Sequence, residues 1–536
     1  MLAVVLLSVV CSLAAGSLPI IHGTVGAPWP KPHEMQHILP GYLTVDPDHF
    51  SFDVTNNNCD ILTEAVKRYK DIMFNAPRAP KSKSRVSWHT ASGFLGELTS
   101  MDVDLMEPCE ELPHLDMYEG YNITVIDGSG TISSISIWGI LRGLETFSQL
   151  LVPSGDAYLV NATTVRDWPR FSFRGLMLDT GRHYLPLSKI KDTLDLMAMN
   201  KLNVFHWHMV DDQSFPYKSD KFPKLSELGA WTQNQVYTAD QIASVVEYAR
   251  MRGIRVLPEF DTPGHTLSWG LGQSDFLTPC YLGNKPTGTY GPVDPTVEAN
   301  YDFLRELLTE VTGRFKDHYI HLGGDEVPFT CWESNPNITT WMATHNITGD
   351  YAKLEEYYIT RLLDIVDNLP KKNGYFVWQE VFDNGVKIAN DTVVHVWKYR
   401  QDTRWKEETG NVTAAGYRTV VSTPWYLNDI SYGVDWYKYY NADPQSFNGT
   451  LAQKDLVMGG EACMWGEYVD ATNLTPRLWP RASVVAEKLW SSQDLTNGPM
   501  ATAQATPRLE EHRCRLLLRG YDAEPLWPSY CDVNYD

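Results

Sequence analysis

Residues 319–327 read YIHLGGDEV: an apolar run, two glycines, then two adjacent carboxylates, Asp325 and Glu326. The same order recurs on both sides of this stretch. A strand-length apolar run ends in a polar or indole side chain, and a helical stretch follows. Alternation predicts strands at 173–179, 203–211, 253–260, 319–324, 375–380, 392–397, 417–422 and 456–465. Helical spacing predicts helices over 187–199, 238–252, 300–315, 351–368 and 480–490, the last with Pro480 at its first position, where a missing N–H costs nothing. Eight buried strands alternating with helices predict an α/β fold, a closed (β/α)8 TIM barrel over 169–500. A doubly wound sheet is the rival. The polar residues favour the barrel: Asp179, Asp211, Asp261, Asp325, Glu326, Trp378, Trp397 and Glu467 fall at or near strand ends, and a barrel gathers all such ends around one mouth. Long insertions at 262–298 and 425–455 enlarge it.

Outside the barrel, 17–168 reads as a smaller α+β domain. Its predicted elements are a strand at 42–45, a helix at 60–74, an exposed loop at 75–90, a strand at 121–126 and a helix at 131–152. The tail, 501–536, reads as an extension packed on the barrel. Residues 1–16 resemble a signal peptide. No later apolar stretch is long enough for a transmembrane anchor. The 536-residue chain carries 45 Lys+Arg against 66 Asp+Glu, net charge -21, so phosphate backbones are repelled and nucleic-acid binding is disfavoured. There are eight cysteines; removal of Cys11 with the leader leaves an odd number, so at least one is unpaired within the chain. N-x-S/T sequons at Asn122, Asn161, Asn337, Asn346, Asn411, Asn448 and Asn473 favour a secretory route, and each occupied one must be exposed.

A hydrolase needs a protonated acid beside its leaving group, and Glu326 is the candidate. In an extended strand Asp325 and Glu326 point oppositely, which does not suit two carboxyls clasping one sugar carbon. Asp211 or Asp261 would then supply a second arm, or a substrate N-acetyl group would attack C1 itself, with Asp325 holding its amide N–H. His206 and His208 share a strand face, but no HExxH or close Cys/His cluster accompanies them, so the expectation is no metal and no cofactor. His265 follows strand three in Asp261-Thr-Pro-Gly-His and is placed to bond substrate or a catalytic carboxylate. Arg182 tops strand one, where its fork fits hydroxyls or a carboxylate. Trp378, Trp397 and Trp465 could wall a sugar, Tyr426 and Asn428 follow strand seven, and Glu467 could accept from hydroxyls. Neither a phosphate-binding glycine loop nor a G-x-S-x-G elbow is present.

The stretches RGLMLDTGRHY (174–184), KLNVFHWHMVDDQSFPY (201–217), EFDTPGHT (259–266), HLGGDEV (321–327) and GGEACMWGE (459–467) resemble the glycoside hydrolase family of β-N-acetylhexosaminidases, within it the animal lysosomal subunits. The resemblance covers nearly all of the mature chain. It implies substrate-assisted, retaining hydrolysis of terminal non-reducing β-linked GlcNAc or GalNAc. Glu326 matches the acid/base, Asp325 the acetamido-orienting aspartate and Tyr426 the acetamido-binding tyrosine. Arg182 and Glu467 match the sugar-hydroxyl residues, the three tryptophans match the stacking walls, and Asp211 and His265 match supporting residues. It further implies disulfides Cys59–Cys109, Cys280–Cys331 and Cys514–Cys531 with Cys463 free, a homodimer with contacts near the mouth, and a lysosomal or secreted destination. One departure stands out: after Tyr426 the chain reads Leu427-Asn428-Asp429, with an acid at 429 where the subunit that accepts anionic substrates carries Arg after the Asn. An anionic sugar is expected to meet repulsion there. The alternative reading is a secreted, non-catalytic carbohydrate-binding protein on the same scaffold.

Overall fold

The computed structural model describes residues 21–79, 93–371, 373–400, 402–431 and 433–535. The leader expected at 1–16 and most of the loop expected at 75–90 lie outside these residues. Eight parallel strands, Phe173–Asp179, Val204–His208, Arg255–Glu259, Tyr319–His321, Gly374–Trp378, Val393–Val396, Arg418–Val421 and Val457–Met464, close into a barrel, the last pairing with the first. Every residue of the first, second, third and last of these strands is buried, as a parallel sheet covered by helices requires.

The barrel interior changes character from bottom to top. Its lowest layer takes one side chain from each strand: Phe173, Val204, Leu257, Tyr319, Phe376, Val393, Val420 and Met458. Two residues further along, the inward positions become His206, Glu259, His321 and His395. Above them lie Met177, Trp378, Tyr426, Cys463 and Trp465, with Trp397 packed against them. Period-two alternation turns the same strand faces from an apolar floor into a polar throat.

The preceding domain is a mixed eight-stranded sheet, in the order Ser51–Asn56, Ser100–Leu105, Ser129–Ser134, Tyr121–Ile126, Ala157–Asp167, Glu34–Val45, Phe94–Glu97, with Val152–Ser154 beside Ala157–Asp167. Helices Asp60–Phe74 and Ile137–Leu150 share its core. Two expectations change here. The strand at 42–45 is part of a longer one, Glu34–Val45. The helix expected at 131–152 is a strand, Ser129–Ser134, followed by a helix, Ile137–Leu150. The reason is the turn: Asp127 and Gly128 both have positive φ (50° and 79°), as a two-residue hairpin demands, so 129–134 pair with Tyr121–Ile126. The helix starts only where the Ser136 hydroxyl accepts the Trp138 N–H at 3.1 Å. Similarly, the last barrel helix runs Arg481–Trp490, which puts Pro480 at its cap and not at its first helical position.

Disulfides join Cys59 to Cys109, Cys280 to Cys331 and Cys514 to Cys531, while Cys463 is free and buried. The C-terminal helix Ala501–Leu518 holds both units: Glu511 accepts from the Thr24 hydroxyl and the Gly26 N–H at 2.7 Å each, and Arg519, just past the helix, bonds Glu145 at 2.8 Å. Asn122, Asn161, Asn337, Asn346, Asn411 and Asn448 are exposed. Asn473 is half-buried, and its amide nitrogen, the atom a glycan would take, donates to the Tyr468 carbonyl at 2.9 Å.

Candidate active site

The fourth strand ends in a turn that the two glycines make possible. Gly323 and Gly324 have φ of 70° and 95°, and Glu326 itself has φ of 51°. At Gly323 a Cβ would lie 1.7 Å from an Asp261 carboxylate oxygen, so no other residue fits there. The Gly324 N–H donates to that same Asp261 oxygen at 2.8 Å. The consequence bears on chemistry. Asp325 and Glu326 do not diverge as residues of an extended strand would; His265 Nε2 lies 3.8 Å from one carboxylate and 3.9 Å from the other. Asp325 is buried, whereas the Glu326 side chain is 60% exposed at the lip.

Beneath this pair runs a chain of imidazoles and carboxylates. His265 Nδ1 faces Asp211 at 3.3 Å, His208 Nε2 meets Asp211 at 2.9 Å, and His208 Nδ1 meets Glu259 at 2.7 Å. Glu259 also contacts His206 at 2.9 Å and His321 at 3.2 Å, and accepts the Trp378 indole N–H at 2.7 Å. His206 reaches on to Glu461 at 2.9 Å. Burial alone would raise Asp211, but hydrogen bonds from His208 and His265 and the Arg182 charge hold its carboxyl well below the usual range. Burial would lower His265, but Asp211, Asp325 and Asp261 carry it up to about 11. This imidazole is a standing cation between the carboxylates. Asp261 and Asp325 move the other way. Burial, reinforced by the Asp325 charge, raises Asp261 far above its ordinary value, and burial with the Glu259 charge raises Asp325.

The remaining predicted residues surround the same mouth. Arg182 bonds Asp179 and Asp211 at 3.0 Å each, lies 3.8 Å from Glu467, and its guanidinium sits 4.8 Å above the Trp465 ring. Trp378, Trp397, Trp465 and Tyr426 form one aromatic wall, with ring centroids 6.0–6.4 Å apart. The Trp397 indole donates to Glu380 at 2.8 Å. Glu380 is pushed up to about 7 by burial and by the Asp325 charge. Asn428 is half-buried with its side-chain oxygen unpartnered. Asp429 is not a free acid: Arg400 pairs with it at 3.0 Å and lies 4.5 Å over the Tyr426 ring.

Several groups of three donors lie close enough to share an ion, including Asp261–His265–Asp325, Asp211–Asp212–His265 and His206–Glu259–His321. In the first of these groups Asp261 Oδ2, His265 Nε2 and Asp325 Oδ1 have no hydrogen-bond partner, whereas in the other two imidazole faces carboxylate through the hydrogen bonds and short contacts already described.

A family model described as "Glycosyl hydrolase family 20, catalytic domain" matches residues 171–493, and one described as "beta-acetyl hexosaminidase like" matches residues 28–150. The chain belongs to glycosyl hydrolase family 20. As a member of that family it is a glycoside hydrolase. It is 48% identical over 515 residues to the beta-hexosaminidase subunit alpha of Rattus norvegicus, covering 95% of each chain. It is 47% identical to the beta-hexosaminidase subunit beta of Homo sapiens, covering 94% of this chain and 89% of that one. Among solved structures, the Flavobacterium johnsoniae chitobiase superposes with a TM-score of 0.78 at 28% identity, over 92% of this chain and 73% of that one.

The structure adds residues to this family 20 site that the sequence reading passed over. Glu259 is the hub of four contacts, Glu461 holds His206, and Glu380 holds Trp397. A signal for them existed. Glu259 shares inward parity with Asp261 on the third strand, and Glu461 shares it with Cys463 and Trp465 on the eighth.

Proposed function

We propose that this chain hydrolyses terminal non-reducing β-linked GlcNAc or GalNAc with retention, using the substrate's own acetamido oxygen as nucleophile. The observation that carries this reading is the closure of the other carboxylates. Asp211 is fully buried and engaged by Arg182, His208 and His265. Asp261 is 1% exposed and bonded to the Gly324 N–H below the turn. Neither is free to attack C1 as a second arm, so the Asp325–Glu326 pair needs a nucleophile brought by the substrate.

In the proposed step Glu326 gives its proton to the glycosidic oxygen. That oxygen takes the electron pair of the breaking C1–O bond, while the acetamido oxygen forms a bond to C1. Asp325 accepts from the acetamido N–H, which then carries developing positive charge, and its unpartnered Oδ1 is an open acceptor. Tyr426 donates its hydroxyl to the acetamido oxygen; burial raises this phenol well above its ordinary value, keeping it a donor. Water then attacks C1, giving a proton to Glu326, while the bond from C1 to the acetamido oxygen breaks and returns its electron pair to the acetamido group. Arg182, Asn428 and Glu467 bind ring hydroxyls, the three tryptophans wall the ring and acetamido methyl, and Asp211 holds His265 in place.

The same proposal makes the protein a homodimer of a lysosomal or secreted compartment. The exposed sequons, disulfides and relatives named as hexosaminidase subunits support this destination. Among the described residues no helix is long and apolar enough to cross a membrane.

The test compares aryl β-GlcNAc with the matching aryl β-glucoside. The GlcNAc compound should turn over at least about 10³-fold faster, because intramolecular attack removes the cost of assembling a nucleophile. Asp325→Asn should narrow that gap. Equal rates on the two sugars would end the substrate-assisted reading.

A further inference from the structure

Period-two alternation on the sixth barrel strand turns Val393, His395 and Trp397 to the same side. Val393 belongs to the apolar floor and Trp397 packs on the aromatic wall, so His395 stands between the two layers. It is fully buried, and neither of its ring nitrogens has a hydrogen-bond partner among the described residues. A Glu461 carboxylate oxygen lies 3.8 Å from Nε2, beyond hydrogen-bond reach. The imidazoles around it differ: His206 Nδ1 bonds Glu461 at 2.9 Å, and His321 Nδ1 accepts the Gly323 N–H at 3.1 Å. Burial, reinforced by His321 and His206, holds His395 well below the ordinary imidazole range, so it is a neutral ring. A buried polar group that bonds nothing needs another reason for its place.

That reason is the indole beside it. His395 pairs in register with Trp378 on the fifth strand, and the two rings stack with centroids 4.3 Å apart and planes 28° apart. Glu259 accepts the Trp378 indole N–H at 2.7 Å, and His321 lies tilted against it at 4.6 Å. Toward the mouth the same indole meets Trp465 and Trp397 at 6.0 and 6.4 Å. The hydrogen bond to Glu259 pins one atom of the indole and leaves rotation about that atom. The flat stack on His395 fixes the plane of the ring.

We propose that His395 is a positioning residue that determines specificity: by backing Trp378 it fixes the depth of the acyl pocket and limits the substrate to an N-acetyl group. The inference rests on the reading in which Trp378 walls the acetamido methyl. His395 touches no substrate atom and acts through the indole. An interior packed to crystal density yields little to an added methylene, so a longer acyl chain enters only by pushing the indole back onto His395. Because the ring nitrogens bond nothing, the site uses the flat bulk of the ring, and a phenylalanine serves in its place.

Aryl β-glucosaminides carrying N-acetyl or N-propanoyl test this. The readout is the ratio of kcat/KM for the two compounds within each preparation, from which the folded fraction cancels. The native chain should prefer N-acetyl about 10–200-fold, the discrimination that one methylene supports. His395→Ala should lower that ratio at least about fivefold by opening room behind the indole, and His395→Phe should restore it. Should His395→Ala fail to fold, His395→Val removes less bulk and should move the ratio in the same direction. An unchanged ratio in the folded Ala or Val variant, or an equal fall in His395→Phe, overturns the proposal. A native protein that cleaves aryl β-GlcNAc no faster than the matching aryl β-glucoside overturns instead the functional reading beneath it.

Discussion

Two buried ionic clusters in this molecule differ in whether their valences are closed. At the seam between the sheet domain and the barrel floor, Glu119 accepts from Arg142 at 2.9 Å, Arg174 at 2.6 Å and Asn203 at 3.1 Å. Beside it, Asp167 accepts from Tyr121 at 2.6 Å, Lys201 at 2.9 Å and Trp490 at 3.0 Å. None of these side chains carries an unpaired buried polar atom. At the mouth, Asp325 Oδ1, His265 Nε2 and Asn428 Oδ1 all lack partners. An unmet buried donor or acceptor costs about 1–3 kcal/mol. The seam therefore stabilises the joint between two domains, and the mouth retains the polar groups that a substrate would complete.

The sharpest break of that contrast is Glu326→Gln. If the mouth does chemistry, kcat on aryl β-GlcNAc should fall about 10²–10⁴-fold with no loss of thermal stability, since the side chain is mostly in water. Equal turnover by both proteins would remove Glu326 from its role. The reciprocal change is Glu119→Ala, which strands Arg142 and Arg174 in the interior. Chemical denaturation should show a loss of about 3–5 kcal/mol, while kcat per folded molecule stays near wild type. A stable Glu119→Ala protein with impaired kcat would erase the distinction.

The smallest effect is pH-dependent, and the two clusters divide it. His206 is carried up to about 9 and His265 to about 11, each against the burial that would lower it, by Glu461 and Glu259 for the first and chiefly Asp211 for the second. Both folded values lie above the unfolded imidazole. Their contribution is complete below about pH 6.5 and is lost as pH rises through the folded values. Asp167 is held down to about 2, where Lys201, His33 and Tyr121 outweigh burial. Its contribution is present above about pH 4 and is lost as pH falls toward 2. Melting scans should therefore show Tm falling by roughly 2–5 °C between pH 7 and 8.5, and His265→Gln should flatten that limb. A Tm that rises over this interval would contradict the assigned mouth charges.

Much of the architecture was legible because its signals are local. Strand residues alternate with period two, helix faces with period 3.6, and a polar residue ending an apolar run marks a strand's carboxyl end. Those rules located all eight barrel strands and brought Arg182, Asp211, His265, Trp378, Trp397, Tyr426, Trp465 and Glu467 to one mouth. The reading of 131–152 failed where a hairpin turn at Asp127–Gly128 outweighed helical spacing.

The sequence alone thus determined the barrel and part of the roster of its mouth, since each follows from a residue and its near neighbours. Only the tertiary structure decided how that roster is wired. The left-handed turn through Gly323 to Glu326 brings two consecutive carboxylates to one imidazole. Glu259 becomes a hub only when three other strands converge on it. Asp211 and Asp261 are closed off by groups from other loops and strands. Apart from His208–Asp211, such contacts join residues 29 to 119 positions apart, and the geometry that selects them exists only once the barrel has closed.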